Sequence, residues 1–278
     1  AKPDTCVITN IGTCHLENLG DRDGVLKAKT EIFQSMKPNG HIVLNGDDDK
    51  LITVREYNGV KPVFFGLNSE RDVYADQIES KGLKGVACRI HLGEDAFDVL
   101  VPTPGIHMVY NALAAAAVGR IYGLTIEEIR RGIESLETIR GRFKMIETDK
   151  FLVVDDCYNA NPMSMKASLD VLHDGEGRRV AILGDMGELG EDEAALHEGV
   201  GIHAAICGID ACVCVGDLAV HIAEAARKAN PDFPVYYEKT RESLLEHLND
   251  YVQKGDTILV KASHFMKFEE VVKALEEM

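Results

Sequence analysis

The chemistry-bearing residues of this chain fall into five groups, and most of them sit just after a run of apolar residues. His15 follows the apolar run 5–11, and Lys29 sits on the stretch 21–36, spaced as a helix with Val25, Ile32 and Met36. A lysine on such a stripe either snorkels its ammonium to water or is desolvated, with a depressed pKa suited to phosphate contact or covalent modification. The segment GIHMVYNALAAAA, 105–117, puts His107 and Asn111 four apart, on one face at a helix start where free N–H groups can receive a ligand. Arg142 precedes VVDDCYNANP, 153–162, in which Asp155 and Asp156 end a strand and Tyr158, Asn159 and Asn161 fill the loop beyond. Carboxylates there can accept from ribose hydroxyls, and an arginine can grip phosphate with two parallel N–H bonds. GDMGELG, 184–190, and KASH, 261–264, close two further strands. The acidic loop 45–49, with Asn45 and Asp47 to Asp49, reads as a turn rather than a cation-binding edge.

Each group has an inert alternative. A lone histidine is more often structural than a ligand, the alanine-rich helix packs well without a ligand, and Gly184, Gly190 and Lys261 suit plain turns and surface. Two absences are informative. The sequence contains no Gly-Lys dipeptide and therefore no P-loop of the form GxxxxGK[ST]. The near match to a dinucleotide fingerprint, GVGIHA at 199–204, falls inside a predicted helix, where it fails the strand-then-helix requirement.

The elements that position these residues divide into two parts, with a boundary expected at 138/139. In the first, strands at 5–11 and 41–45 flank the helix at 21–36; segments between 60 and 103 read as antiparallel strands; helices follow at about 107–122 and after Thr125. In the second, short apolar strands alternate with helices from 143 to 277, the pattern of a mostly parallel sheet covered on both faces. Such sheets bind ligands at the carboxyl ends of their strands. Cys212 and Cys214 are read as opposite faces of one strand.

Composition narrows the classes. The chain has 278 residues, 30 Lys plus Arg against 46 Asp plus Glu, and a formal net charge of −16, which disfavours nucleic acid. No stretch approaches the roughly 18 apolar residues of a membrane span, so no membrane insertion is expected. Seven cysteines without CxxC spacing read as reduced thiols of a cytoplasmic protein.

Eight segments taken together resemble the Mur ligase family, the ATP-dependent amide ligases that build the peptidoglycan peptide: TNIGTCHLENLG, LKAKTEIF, LNGDDD, GIHMVYNALAAAA, IRGRFKMIE, VVDDCYNANPMSM, ILGDMGELG and LVKASHFMKFEE. They lie in family order. DDCYNANP and GDMGELG point to the branch that adds D-Ala-D-Ala to UDP-MurNAc-tripeptide, and the DNPR motif of the diamino-acid branch is absent. The resemblance implies an α/β fold: the C-terminal part of a central ATPase domain (1–138), then a Rossmann-like, doubly wound C-terminal domain (139–278). It implies that His15 helps hold Mg2+ and that Lys29 becomes carbamylated, both serving catalysis and the metal. It implies that Asn111 contacts adenine, Arg142 the phosphates of ATP and Asp156 the ribose, with the C-terminal domain closing over the nucleotide. Asn159, Asn161, Lys261 and Ser263 would border the site of the incoming dipeptide. A monomer is expected.

Departures are visible. Met108 stands where the family often has asparagine, Cys157 where serine is common, and KASH replaces KGSR, exchanging a permanent cation for His264. The family's nucleotide-sugar domain and P-loop would precede residue 1. Without the phosphate cradle, these 278 residues alone are expected not to ligate. The rival readings are a non-catalytic nucleotide-binding module served by a separate P-loop partner, and a dinucleotide-dependent oxidoreductase, which the missing fingerprint disfavours.

Overall fold

The computed structural model describes residues 2–12 and 19–278. The chain divides into two compact units, residues 1–137 and 138–278.

The first unit is built on a six-stranded sheet whose spatial order follows the sequence: β1 (Thr5–Ile8), β2 (His41–Asn45), β3 (Val63–Gly66), β4 (Val73–Ser80), β5 (Val86–Leu92) and β6 (Asp95–Val101). The pairs from β1 to β4 are parallel, and β4–β5–β6 are antiparallel. The expectation of antiparallel strands throughout 60–103 is thus corrected for β3: it is too short to show a period and is flanked by strands running its own way.

Strand HIVLN shows how the sequence feeds two cores. Successive strand residues point to opposite faces. Ile42 and Leu44 pack with Val25 and Phe33, while Val43 joins Phe65, Ile90 and Leu113 on the other side. Helix α1 (Arg22–Thr30) supplies Val25, capped by Asp21, whose carboxylate accepts from Gly24 N at 2.9 Å. Helices α2 (Ile106–Ile121) and α3 (Ile126–Glu134) cover the opposite face, with α3 opened by a capping box between Thr125 and Glu128.

Helix α1 corrects a second expectation. It ends at Thr30 and tightens into a 3-10 turn over Glu31–Ser35, so the 3.6-residue phase does not run through to Met36. Val25 is buried, but Lys29 is exposed and Ile32 is 41% exposed. No continuous apolar stripe runs through Lys29.

The second unit has the sheet order β11-β10-β9-β12-β8-β7, formed by β7 (Lys144–Glu147), β8 (Leu152–Asp155), β9 (Arg179–Gly184), β10 (Ala211–Val215), β11 (Val235–Glu238) and β12 (Thr257–Lys261). All pairs are parallel except β7–β8. Helices α4 (Pro162–His173), α5 (Glu193–Ile206), α6 (Ala219–Ala229), α7 (Arg241–Tyr251) and α8 (Glu269–Glu277) complete it. On one face Val180, Ile182, Val213, Ile258 and Val260 pack against Leu244, Leu248 of α7 and Val271, Leu275 of α8.

The GVGIHA segment lies within α5, and its glycine has a packing reason. A Cβ on Gly201 would overlap the carbonyl of Ile222, so only glycine lets α5 and α6 approach this closely. Cys212 and Cys214 point to one face of β10, with sulfurs 3.6 Å apart, because residues two apart on a strand share a side. The reading of opposite faces fails on that rule. Among the described residues no helix is long and apolar enough to cross a membrane.

Candidate functional site

Strand order decides where the second unit's loops meet. β12 is inserted between β8 and β9, while β10 and β11 extend away beyond β9. The carboxyl ends of β8, β12 and β9 are therefore neighbours, and the loops 155–161, 184–190 and 261–264 converge at a switch in strand order.

Side chains buried at this edge hold the loops together. Lys261 is only 2% exposed, and its Nζ donates to Asp156 Oδ2 at 2.5 Å and to the Asn159 carbonyl at 3.2 Å. Ser263 Oγ accepts from Gly187 N at 2.9 Å, while Ser263 N donates to the Asp185 carbonyl. Buried Asp185 accepts from Leu218 N and Ala219 N at the start of α6, and burial raises its pKa above the usual carboxylate range. Buried His197 accepts from Met186 N at 2.9 Å through Nε2, which leaves Nδ1–H to donate to the Glu193 carbonyl. The imidazole is therefore neutral, and desolvation lowers its pKa.

The two aspartates that end β8 act on a different loop. Asp155 Oδ2 accepts from Gly141 N at 2.8 Å, and Asp156 Oδ1 accepts from Phe143 N at 3.2 Å. Between these anchored amides stands Arg142. Gly141 has φ 78° and Phe143 has φ 54°, so the arginine is flanked by two left-handed positions. A Cβ on Gly141 would come within 3.2 Å of the Tyr158 Cβ, in a region disfavoured for L side chains. Cys157 donates its thiol to Asp155 Oδ1 at 3.0 Å; burial, then this carboxylate, raises its pKa.

Arg142 is exposed, with its guanidinium carbon 3.9 Å from the Tyr158 ring centroid. Among the described residues its guanidinium has no hydrogen-bond or ion-pair partner, a state it shares with Arg55 and Arg131, whereas arginines 22, 71, 89, 120, 130, 140, 178, 179, 227 and 241 all have one; of the three, Arg142 stands at the carboxyl edge of the parallel sheet. In a chain of net charge −16, an unpaired fork at the ligand edge of a sheet is set up for an anion.

Asn159 is exposed, its side-chain carbonyl accepting from Ala160 N, and Asn161 caps α4 by accepting from Ser164 N at 2.9 Å. Asp156 already accepts from Phe143 N, Ser168 Oγ and Lys261 Nζ, which leaves a carboxylate room for one further donor.

In the first unit, Asn111 is exposed on α2 with its amide donating to Met108 Sδ at 3.4 Å. It borders a cavity of about 480 Å3 between α2 and α3, walled by Met108, Ala112, Ala115, Ile129 and Ile133. That volume is in the range of small-molecule sites. Lys29 Nζ donates to the Asn10 carbonyl at 2.8 Å. His15 lies outside the described residues. The structure thus brings Asp156, Asn159, Lys261 and Ser263 together with Arg142, and sets Lys29 and Asn111 in the other unit.

Sequence reasoning did not find two of these roles. The stacking of Tyr158 under Arg142 joins positions 16 apart through tertiary structure, and no local spacing encodes it. His197 was findable: it shares a helical stripe with buried Val200, Gly201 and Ala204, so a polar side chain there needs partners.

Comparison with known proteins accounts for both units. Residues 1–119 match the Mur ligase middle domain, and residues 141–264 match the Mur ligase glutamate ligase domain. A UDP-N-acetylmuramoyl-tripeptide–D-alanyl-D-alanine ligase from Bacillus subtilis (strain 168) is 36% identical over 280 residues, covering 100% of this chain and 60% of the relative. The Escherichia coli (strain K12) protein of that name is 35% identical, covering 99% of this chain and 61% of its own. MurF from Acinetobacter baumannii superposes with a TM-score of 0.89 at 32% identity, covering 100% of this chain and 60% of that one. MurF ligase from Thermotoga maritima, solved in complex with ADP, gives a TM-score of 0.84 at 27% identity, covering 100% and 62%. The chain spans about 60% of the length of the curated relatives it matches. With matches to two successive domains of one family and a shared fold along its whole length, the chain belongs to the Mur ligases, as their middle and glutamate ligase domains.

Proposed function

We propose that this chain supplies the middle and C-terminal parts of an ATP-dependent ligase that joins D-Ala-D-Ala to UDP-MurNAc-tripeptide through an acyl phosphate. The relatives with that name match the chain end to end. The observation that carries the reading is the unpaired guanidinium of Arg142, held outward at the carboxyl edge of a parallel sheet.

Each residue then has a task set by its surroundings. Arg142 takes a phosphate group with two parallel N–H bonds. Asp156 uses its remaining acceptor capacity for a ribose hydroxyl. Lys261 and Ser263 are committed to Asp156 and to the 184–190 loop, so they act on the dipeptide site through the loops they fix. Asn159 and Asn161 lie at the mouth of that site. In the first unit, the apolar walls beside Asn111 suit a purine ring, with the amide reading its edge.

ATP supplies the phosphoryl group that turns a carboxylate into an acyl phosphate, which an amine then attacks. The residues of the proposed metal site fit Mg2+ poorly as they stand. Lys29 offers an ammonium, which is no metal ligand, and among the described residues no three His, Cys, Asp or Glu side chains converge. A carbamate on Lys29 would supply oxygens instead.

The test joins the chain to a P-loop segment like that of its relatives. ADP release is then expected only when ATP, UDP-MurNAc-tripeptide and D-Ala-D-Ala are all present, with a new amide as product. Lys29→Ala in that protein should abolish turnover. Nucleotide binding without amide product would instead favour a non-catalytic nucleotide-binding module.

A further inference from the structure

We propose that Tyr158 is a positioning residue for Arg142: its ring, with the carboxylates of Asp155 and Asp156, forms a frame that holds the guanidinium fork outward for a phosphate. The inference rests on the nucleotide reading given above and goes beyond it by assigning the residue that aims the arginine.

Three features fix the arginine from different directions. Its backbone is pinned on both sides, through Gly141 N to Asp155 and Phe143 N to Asp156. A non-glycine residue at φ 54°, as Phe143 is, persists only when its surroundings over-determine it. The Arg142 loop is also tied to the Tyr158 loop, since Tyr158 N donates to the Gly141 carbonyl at 2.9 Å. The guanidinium carbon then lies over the Tyr158 ring, 3.9 Å from its centroid.

The ring is itself braced. His264 meets it edge-on, with centroids 5.8 Å apart and an interplanar angle of 63°. Tyr158 is 50% exposed, so its ring has little of a core residue's task, and among the described residues its contacts run through its ring and backbone amide, with no hydrogen bond from the phenolic hydroxyl. What the ring does is carry the arginine. A long flexible cation otherwise loses rotamer freedom on binding an anion, and a side chain already stacked has lost much of it. The aromatic ring should therefore matter and the hydroxyl should not.

The experiment uses the full 278-residue chain and two readouts. In a 15N-labelled sample, the Arg142 Nε–Hε signal should be shifted upfield by the ring. Tyr158→Ala should move it to the position of a free arginine, and Tyr158→Phe should leave it in place. In calorimetry with ADP, Tyr158→Ala should weaken binding about fivefold, Tyr158→Phe by less than about twofold, and Tyr158→Ala should add nothing in an Arg142→Ala background. An Arg142 signal indifferent to Tyr158→Ala, or an equal loss in both backgrounds, overturns the inference. Should Arg142→Ala bind ADP like the parent, or the parent bind none, the nucleotide reading fails. The frame then stands or falls on the Nε–Hε signal alone.

Discussion

Two strand ends in this molecule carry a cluster of aspartates, and they use them in opposite ways. After β2, every carboxylate of the 47–49 cluster is consumed. Asp47 accepts from Leu67 N, Arg71 Nε and Tyr110 Oη; Asp48 accepts from the amides of Ile11, Lys50 and Leu51; Asp49 pairs with both terminal nitrogens of Arg22. Burial, then Asp47, pushes the Tyr110 hydroxyl up to about 12. After β8, Asp155 and Asp156 spend their oxygens on backbone amides, a serine, a thiol and Lys261, and leave the adjacent arginine unpaired. Acidic loops that look alike in sequence differ in whether they neutralise a nearby arginine or present it. The first builds a turn; the second builds a place for an anion.

The comparison breaks most visibly at Asp156. Asp156→Ala would leave Lys261 buried without its carboxylate, and losing one partner of a buried pair costs about 3–5 kcal/mol. Chemical denaturation should show that loss. Asp49→Ala removes an exposed pair and should leave the denaturation midpoint unchanged. Equal effects would erase the distinction between the loops.

A smaller effect comes from His197, beneath the 184–190 loop. Its folded-state pKa lies below the unfolded value of about 6.5, so the unfolded state binds the proton more readily. The histidine's contribution is thus complete above about pH 6.5 and is lost as pH falls through that value toward the lower folded pKa. Stability measured between pH 7.5 and about 5.5 should decline, and His197→Gln should flatten the slope over that interval. An unchanged slope in the variant would remove His197 from the account.

The smallest change is expected at Cys157. A serine there keeps a donor for Asp155, so Cys157→Ser should alter stability by less than about 1 kcal/mol. A larger loss would mean that the sulfur packs rather than donates.

Much of this architecture is legible in the sequence. The alternation of apolar strands and helices after residue 143 gave the parallel sheet, because burial on both faces leaves near-continuous apolar strands. The strand-end positions of Asp156 and Lys261 followed from the same pattern. What periodicity could not give was phase and partner. A 3-10 turn after Thr30 takes Lys29 off an apolar stripe, four-residue β3 is too short to show a direction, and Cys212 and Cys214, two apart on β10, share one face where opposite faces were expected. The Arg142–Tyr158 stack and the Lys261–Asp156 pair join residues 16 and 105 positions apart, which only the folded sheet brings together.

The most direct measurement is a map of amide shifts in the 278-residue chain on adding ADP. Perturbations concentrated at residues 141–143 and 156–159 for the phosphates and ribose, and around Asn111 for the purine, with residues 45–50 unmoved, are the predicted result. Shifts centred on 45–50, with Arg142 and Tyr158 silent, would contradict the assignment of the anion site to the second loop.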